Sequence, residues 1–179
     1  YHNNFENNPL EFLTLISSEI IHGNLDDNLN YEKKLEIFSK RKLIMTCGAS
    51  TSFVSNILNF HNIKSRIVST IVVENKNTYD DGHILLEIFV KDYNKWILID
   101  FTHNVIFADK DNNYLSLFEL NELDFDNVNI INLSNSPKYD FSSYIEYQFL
   151  QEYSLYNKHS WFKRIFETLT IYDDGIQYV

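Results

Sequence analysis

Two apolar segments in the middle of the chain, residues 83–90 and 96–101, constrain its fold most strongly. Both are rich in β-branched and aromatic residues, and the polar segment KDYNK separates them, a pattern typical of two antiparallel strands joined by a short loop. Alternate residues of a strand point to opposite faces, so His83, Leu85 and Glu87 share one face of the first strand. A β-hairpin therefore lies at the centre of the predicted fold.

The segments around this hairpin predict helices before it, strands beside it and helices after it. The predicted helices cover 9–21, 31–43, 46–61, 116–123, 140–156 and 160–169. The further predicted strands cover 65–73 and 105–108. We expect one domain over 1–179, with its core motif in 43–104 and helical flanks over 9–42 and 116–170. The expected fold class is α+β, with a cysteine-bearing helix packed on an antiparallel sheet.

The charge and the apolar pattern exclude several classes of partner. A formal net charge of −10 disfavours binding to nucleic-acid phosphates. Cations cluster over 33–42, but Glu32 and Glu36 lie among them, so we interpret this cluster as a solvated helix face. No apolar run approaches the ~18 residues of a membrane span, and the first residues are too polar for a signal peptide. We expect no nucleic-acid partner, no membrane and a cytoplasmic protein.

The single cysteine, Cys47, lies where the third predicted helix begins. Since the chain has no second cysteine, an internal disulfide is impossible, which fits a reducing compartment. A thiol acts as a nucleophile only as the thiolate, and the positive end of a helix dipole or an imidazolium lowers its pKa. Gly48 follows and leaves room for a close approach. Cys47 is therefore the candidate nucleophile, although a lone cysteine is more often a small apolar core residue.

A cysteine nucleophile needs a base that a third group orients, and His83 and Asp100 are the candidates. His83 opens the first hairpin strand and Asp100 nearly ends the second. A tight loop over 92–95 sets Asp100 opposite Glu87 and leaves His83 roughly 13 Å away, which is too far. A wider loop over about 90–95 makes His83 a diagonal neighbour of Asp100, at about 7–8 Å between backbones. We therefore predict this second register, from the wider loop with Phe89 opposite Trp96 or from a bulge that shifts the pairing by two, and we expect the sulfur of Cys47 over the His83 face.

Other candidate residues carry weaker patterns. His103 follows Asp100 by three positions and could lie near the site, but we expect it to be a surface residue at the end of the strand. The chain has no HExxH or CxxC motif, and no Gly-rich phosphate loop among its 4 glycines. We therefore expect no metal and no cofactor.

The order of these residues resembles the core of the transglutaminase-like superfamily, the papain-like thiol enzymes with a Cys-His-Asp triad. In that pattern a cysteine with a small neighbour opens a helix, an arginine lies on the next strand, and a histidine precedes an apolar strand. A tryptophan then precedes a strand that ends in aspartate. The matching positions here are Cys47 with Gly48, Arg66, His83, Trp96 and Asp100.

This resemblance implies a thiol acyl-transfer enzyme that acts on an amide or ester through a cysteine thioester. The product would be that of a hydrolase, such as a protease or amidase, or of an amide-forming transferase. Peptides, proteins and small-molecule amides are the expected substrates, and the oligomeric state stays open. Two alternatives remain within the family, a protein cross-linking transglutaminase and a catalytically idle binding module. An unrelated helical interaction protein with a core cysteine is the third alternative.

Overall fold

The computed structural model describes residues 9–72, 82–133, 168–172 and 177–178. The helices are α1 (Pro9–Ser18), α2 (Tyr31–Phe38), α3 (Cys47–Phe60) and α4 (Leu117–Asn121). The strands are β1 (Ile20–His22), β2 (Leu43–Met45), β3 (Ser65–Val72), β4 (Gly82–Val90), β5 (Lys95–Asp100), β6 (Val105–Ala108), β7 (Asn129–Asn132), β8 (Thr168–Tyr172) and β9 (Gln177–Tyr178).

Seven of these strands form one antiparallel sheet, in the order β7-β6-β5-β4-β3-β8-β9. Strands β3 to β7 follow this order as a run of neighbours, whereas β8 reaches β3 from far along the chain. The chain is thus a mixed α+β protein with an antiparallel sheet and helices, which confirms the predicted class at this level.

The two faces of the sheet pack against different helices. On one face, Leu86 and Ile88 of β4 belong to the same buried cluster as Phe53 and Leu58 of α3. On the other face, Leu85 belongs to a second cluster with residues of β5, β6 and α4. Because successive residues of a strand point to opposite faces, the apolar run of β4 supplies both layers. This packing fixes α3 against the centre of the sheet.

The hairpin of β4 and β5 has the predicted register. Phe89 pairs with Trp96, and their rings lie 5.6 Å apart between centroids. Pairing already begins at Val90 and Lys95, so the connection is shorter than the loop over about 90–95 that we predicted. A 3-10 turn, Lys91–Tyr93, and a left-handed Asn94 with φ of 47° close it.

The first two helices are shorter than predicted, and this expectation was wrong at their C-terminal ends. Residues 20–22 and 43–45 form β1 and β2, which pair in parallel as a separate two-stranded sheet. Their apolar residues also fit a helical period, and only the pairing of distant segments selects the extended state. Asp26 stabilises this arrangement, because it accepts the Ile44 backbone N–H and forms two hydrogen bonds with Arg41.

The C-terminal flank is not entirely helical as predicted. The helix expected over 116–123 is present as α4, but residues 129–132 form β7. The helix expected over 140–156 lies outside the described residues, as does most of that over 160–169. The last two residues of the latter, Thr168 and Leu169, belong to β8, so that prediction was wrong there. No described helix combines the length and apolarity needed to cross a membrane.

Candidate active site

Cys47 occupies the first position of α3, as predicted. Thr46 caps this helix, since its extended backbone precedes the first turn and its side chain accepts a hydrogen bond from the Ala49 backbone N–H. Asp27 in turn accepts hydrogen bonds from both the backbone N–H and the hydroxyl of Thr46, at 2.9 and 2.8 Å. Thr46, the residue before Cys47, is therefore held by hydrogen bonds with both Ala49 and Asp27. These bonds fix the start of α3 and with it the position of the thiol.

The first turn of α3 rests on the start of β4. A Cβ atom on Gly48 would lie 3.1 Å from Cδ1 of Ile84, so a larger side chain there would press on the strand. Thr51, one turn further along the helix, donates its hydroxyl hydrogen to the Ile84 carbonyl. This contact holds the start of α3 beside residue 84, the neighbour of His83, and the His83 ring lowers the pKa of the Cys47 thiol. Cys47 is half-buried.

His83 and Asp100 lie within the predicted hydrogen-bond reach. The distance between His83 Nε2 and Asp100 Oδ2 is 3.0 Å, and both side chains are buried. This bond occupies one ring nitrogen of His83 and leaves Nδ1 for the sulfur. The structure therefore brings Cys47, His83 and Asp100 together, in the order in which a nucleophile, a base and an orienting carboxylate are needed.

His103 is the residue that the sequence analysis misplaced. We expected a surface residue, but its side chain is buried and its Nδ1 lies 2.7 Å from the same Oδ2 of Asp100. The tight turn after β5 explains this position, because the His103 backbone N–H also donates to Oδ1 of Asp100. A histidine three residues after an aspartate was the only signal in the sequence, and it does not reveal the turn.

Each ionised group of this cluster shifts the pKa of its neighbours toward the charged form. Burial raises the pKa of the Cys47 thiol, but its hydrogen bond with His83 and the charge of that ring bring the pKa below the ordinary value. Burial lowers the pKa of His83, but the carboxylate of Asp100 and the bond with Cys47 raise it overall to about 10. Burial likewise opposes ionisation of Asp100, whereas His103 and His83 hold its pKa well below the ordinary range.

These directions favour an imidazolium on His83 and a carboxylate on Asp100 at neutral pH, and they shift Cys47 toward the thiolate. The backbone N–H of Ile84 also lowers the pKa of the thiol. At the start of a helix, the N–H of Cys47 itself lacks an intrahelical acceptor. This N–H is the donor that could bind a negatively charged oxygen beside the sulfur.

Three residues of the cluster are also potential metal ligands. The ligand atoms of His83, Asp100 and His103 all lie within 4.8 Å of one another. Both ring nitrogens, however, point at one oxygen, Oδ2 of Asp100. Hydrogen bonds to that oxygen occupy both nitrogens, at 3.0 and 2.7 Å. The arrangement therefore fits a hydrogen-bonded network better than a metal centre.

The other residues that the resemblance marked lie together on the sheet. The guanidinium of Arg66 stacks over the ring of Trp96, with Cζ 4.3 Å from the centroid, and its Nε donates to Glu87 at 2.6 Å.

Within the cation cluster at 33–42, Lys33 and Lys40 both pair with Glu36. This pairing is exposed, but α2 ends at Phe38 and Arg41 binds the buried Asp26, so the interpretation of the whole cluster as a solvated helix face was wrong beyond Phe38.

None of the protein-family models, curated proteins or solved structures compared with the chain matches it.

Proposed function

We propose that this protein is a thiol acyl-transfer enzyme with a papain- or transglutaminase-like core. One observation carries the proposal: half-buried Cys47 opens the helix that packs on the start of β4, where Nε2 of the buried His83 lies 3.0 Å from the buried carboxylate of Asp100. A cysteine that served only as an apolar core residue would not need buried, ionised side chains beside it, because the burial of charges costs free energy.

The layout of the fold supports the same proposal. The cysteine opens a helix that packs on an antiparallel sheet, and two neighbouring strands of that sheet supply the histidine and the aspartate. The resemblance noted in the sequence implies this arrangement. Arg66 and Trp96, the other two landmarks, are neighbours on adjoining parts of the same sheet.

In the proposed reaction, the thiolate of Cys47 attacks the carbonyl carbon of an amide or ester. The carbonyl oxygen becomes an oxyanion beside the Cys47 backbone N–H. His83 then donates its proton to the leaving amine or alcohol, the C–N or C–O bond breaks, and a thioester remains on Cys47. His83, now neutral, takes a proton from water or from an acceptor amine, which attacks the thioester; the C–S bond breaks, the acyl product leaves, and the Cys47 thiolate and the His83 imidazolium are restored.

The substrate we propose is a peptide, protein or small-molecule amide, and transfer to water or to a small amine is the favoured outcome. A protein cross-linking reaction would need a long acceptor side chain to enter beside the sulfur. The idle binding module is the competing function. It shares this fold and would keep the contacts of the cluster without forming a thioester.

The first experiment measures the reactivity of the thiol. We expect iodoacetamide to alkylate Cys47 rapidly below pH 7, where an ordinary thiol is mostly protonated. His83→Ala should slow this reaction at least 10-fold, whereas His61→Ala, a histidine change at the other end of the same helix, should leave it unchanged. A Cys47 that reacts only after denaturation contradicts the proposal.

The second experiment tests acyl transfer itself. With p-nitrophenyl acetate as an activated ester, wild-type protein should release a stoichiometric burst of p-nitrophenol and gain one acetyl group, which mass spectrometry locates on Cys47. Cys47→Ala should show no burst. Rapid alkylation without any acyl-enzyme would favour the idle module. Addition of EDTA should change neither result, and loss of the burst on chelation would indicate a metal-dependent reaction.

A further inference from the structure

The carboxylate of Asp100 is shared between two histidines. Its Oδ2 contacts His83 Nε2 at 3.0 Å and His103 Nδ1 at 2.7 Å, while its Oδ1 accepts the His103 backbone N–H at 3.0 Å. The shorter of the two ring contacts is thus the one with His103. The proposed reaction accounts for His83 and assigns nothing to His103.

The position of His103 makes it able to fix the carboxylate. Asp100 is fully buried, so no solvent can orient its oxygens. Rotation about the Cβ–Cγ bond would carry Oδ2 away from His83, and the two bonds from His103 oppose that rotation because they hold both oxygens. The two rings pack edge to face, with centroids 5.7 Å apart and planes at 68°, so each also limits the tilt of the other.

We propose that His103 is a positioning residue, whose Nδ1–H holds the Asp100 carboxylate in the orientation that binds His83 and thereby keeps Cys47 activated. This inference rests on the proposed function, in which Cys47 and His83 carry the chemistry. A hydrogen-bond donor at the Nδ1 position is sufficient for this role, so a positive charge on His103 is not required.

A purely structural role is the alternative, in which His103 only closes the turn between β5 and β6. The backbone N–H of residue 103 makes that turn bond, and it survives any substitution other than proline. Replacement of the side chain therefore separates the two roles. A structural role would alter stability, whereas a positioning role would alter the protonation of His83.

Three variants isolate the donor. His103→Ala removes the ring. His103→Asn places an amide N–H near the Nδ1 position without any charge, and His103→Gln places it near the Nε2 position instead. Proton–nitrogen NMR of the imidazole groups measures the protonation midpoint of His83, and alkylation by iodoacetamide measures that of Cys47. Among the described residues, the titratable groups that face His83 are Cys47 from α3, Asp100 from β5, and His103, whose ring packs on that of His83 and shares the Asp100 carboxylate.

We expect His103→Ala to lower the midpoint of His83 by about one pH unit, the size of one lost hydrogen bond to a charged group, and to raise the alkylation midpoint of Cys47. His103→Asn should restore both midpoints, and His103→Gln should not. A rise of the His83 midpoint in His103→Ala would overturn the inference, because His103 would then compete with His83 for the carboxylate. Equal midpoints in Asn and Ala variants would also overturn it.

The NMR measurement does not depend on acyl transfer. If His103→Ala shifts His83 as expected but no acyl-enzyme forms, the positioning role stands and the proposed function fails. If the acyl-enzyme forms and His83 does not shift, the function stands and the positioning role fails. Should His103→Ala not fold, His103→Asn against His103→Gln provides the same contrast.

Discussion

Strand β4 takes part in two buried carboxylate networks that differ in kind. Glu87, within the strand, is fully buried and receives hydrogen bonds from Arg66 and from the Leu117 backbone N–H, which begins α4. Asp100, on the neighbouring strand, is equally buried and is held by His83 near the start of β4 and by His103. Both carboxylates accept hydrogen bonds on both oxygens, but only the network of Asp100 includes a thiol.

The difference lies in the partners. The partners of Glu87 are a guanidinium, which remains charged at every physiological pH, and a backbone N–H. Imidazoles change charge near neutral pH, and His83 connects the carboxylate to a half-buried thiol. Burial of a carboxylate therefore does not identify a functional site, whereas burial beside a titratable group that reaches a nucleophile does.

The largest expected effect is on the free energy of unfolding, and it should distinguish the network of Glu87 from that of Asp100. Glu87→Ala removes the acceptor of Arg66 and of the first turn of α4 from a closed interior, so we expect a loss of about 3 kcal/mol in the free energy of unfolding. Urea denaturation measures it. Because Glu87 does not contact the thiol network, the alkylation midpoint of Cys47 should stay unchanged in the same variant.

Two comparisons check this separation. Glu36→Ala, which breaks only exposed pairs with Lys33 and Lys40, should change the urea midpoint little. Asp100→Asn should show the opposite pattern to Glu87→Ala, with a raised alkylation midpoint as its main effect. A shift of the thiol midpoint in Glu87→Ala as large as that in Asp100→Asn would show that the two networks are coupled.

The pH dependence of stability should distinguish the networks next. His83 has a raised pKa, so its contribution is complete below its unfolded value of about 6.5 and is lost as pH rises toward the folded one. Asp100 has a lowered pKa, so its contribution is present above about 3.9 and is lost as pH falls below that. In a Cys47→Ala background, which removes the thiol titration, the stability lost on Asp100→Asn should therefore be largest near pH 4–6.5.

Urea denaturation between pH 4 and pH 9 measures this difference. Between pH 6 and pH 9 the stability lost on Glu87→Ala serves as the reference, because its guanidinium partner remains charged throughout that range. A difference for Asp100→Asn that grows from pH 6 to pH 9 would contradict the assigned charges of the His83–Asp100 pair.

The smallest effect should come from the cap that places the thiol. Thr46→Ala removes the side chain that caps α3 and binds Asp27, and we expect a loss of about 1 kcal/mol in the free energy of unfolding. Alkylation of Cys47 should slow only a few-fold, because His83 still pairs with the sulfur. Thr46→Ser keeps the hydroxyl and should restore both properties, and a failure to do so would assign the effect to the lost methyl group instead.

Local patterns in the sequence predicted the central part of this protein. The start of α3 at Cys47 followed from its position before an apolar helical period, and the alternation along β4 and β5 set which side chains share a face. The requirement that His83 reach Asp100 then selected the register, with Phe89 opposite Trp96, that the structure contains. These features depend on neighbours within about twenty residues, which a pattern can encode.

Contacts between distant segments decided the rest. The extended state of β1 and β2 depends on their parallel pairing, and β8 joins the sheet from the far end of the chain. His103 became part of the site because the turn after β5 folds it back onto Asp100. Composition and spacing thus determined the α+β class, the helix start at Cys47 and the central hairpin. Only tertiary structure decided which buried charges meet, because desolvation and pairing depend on groups that are remote in sequence.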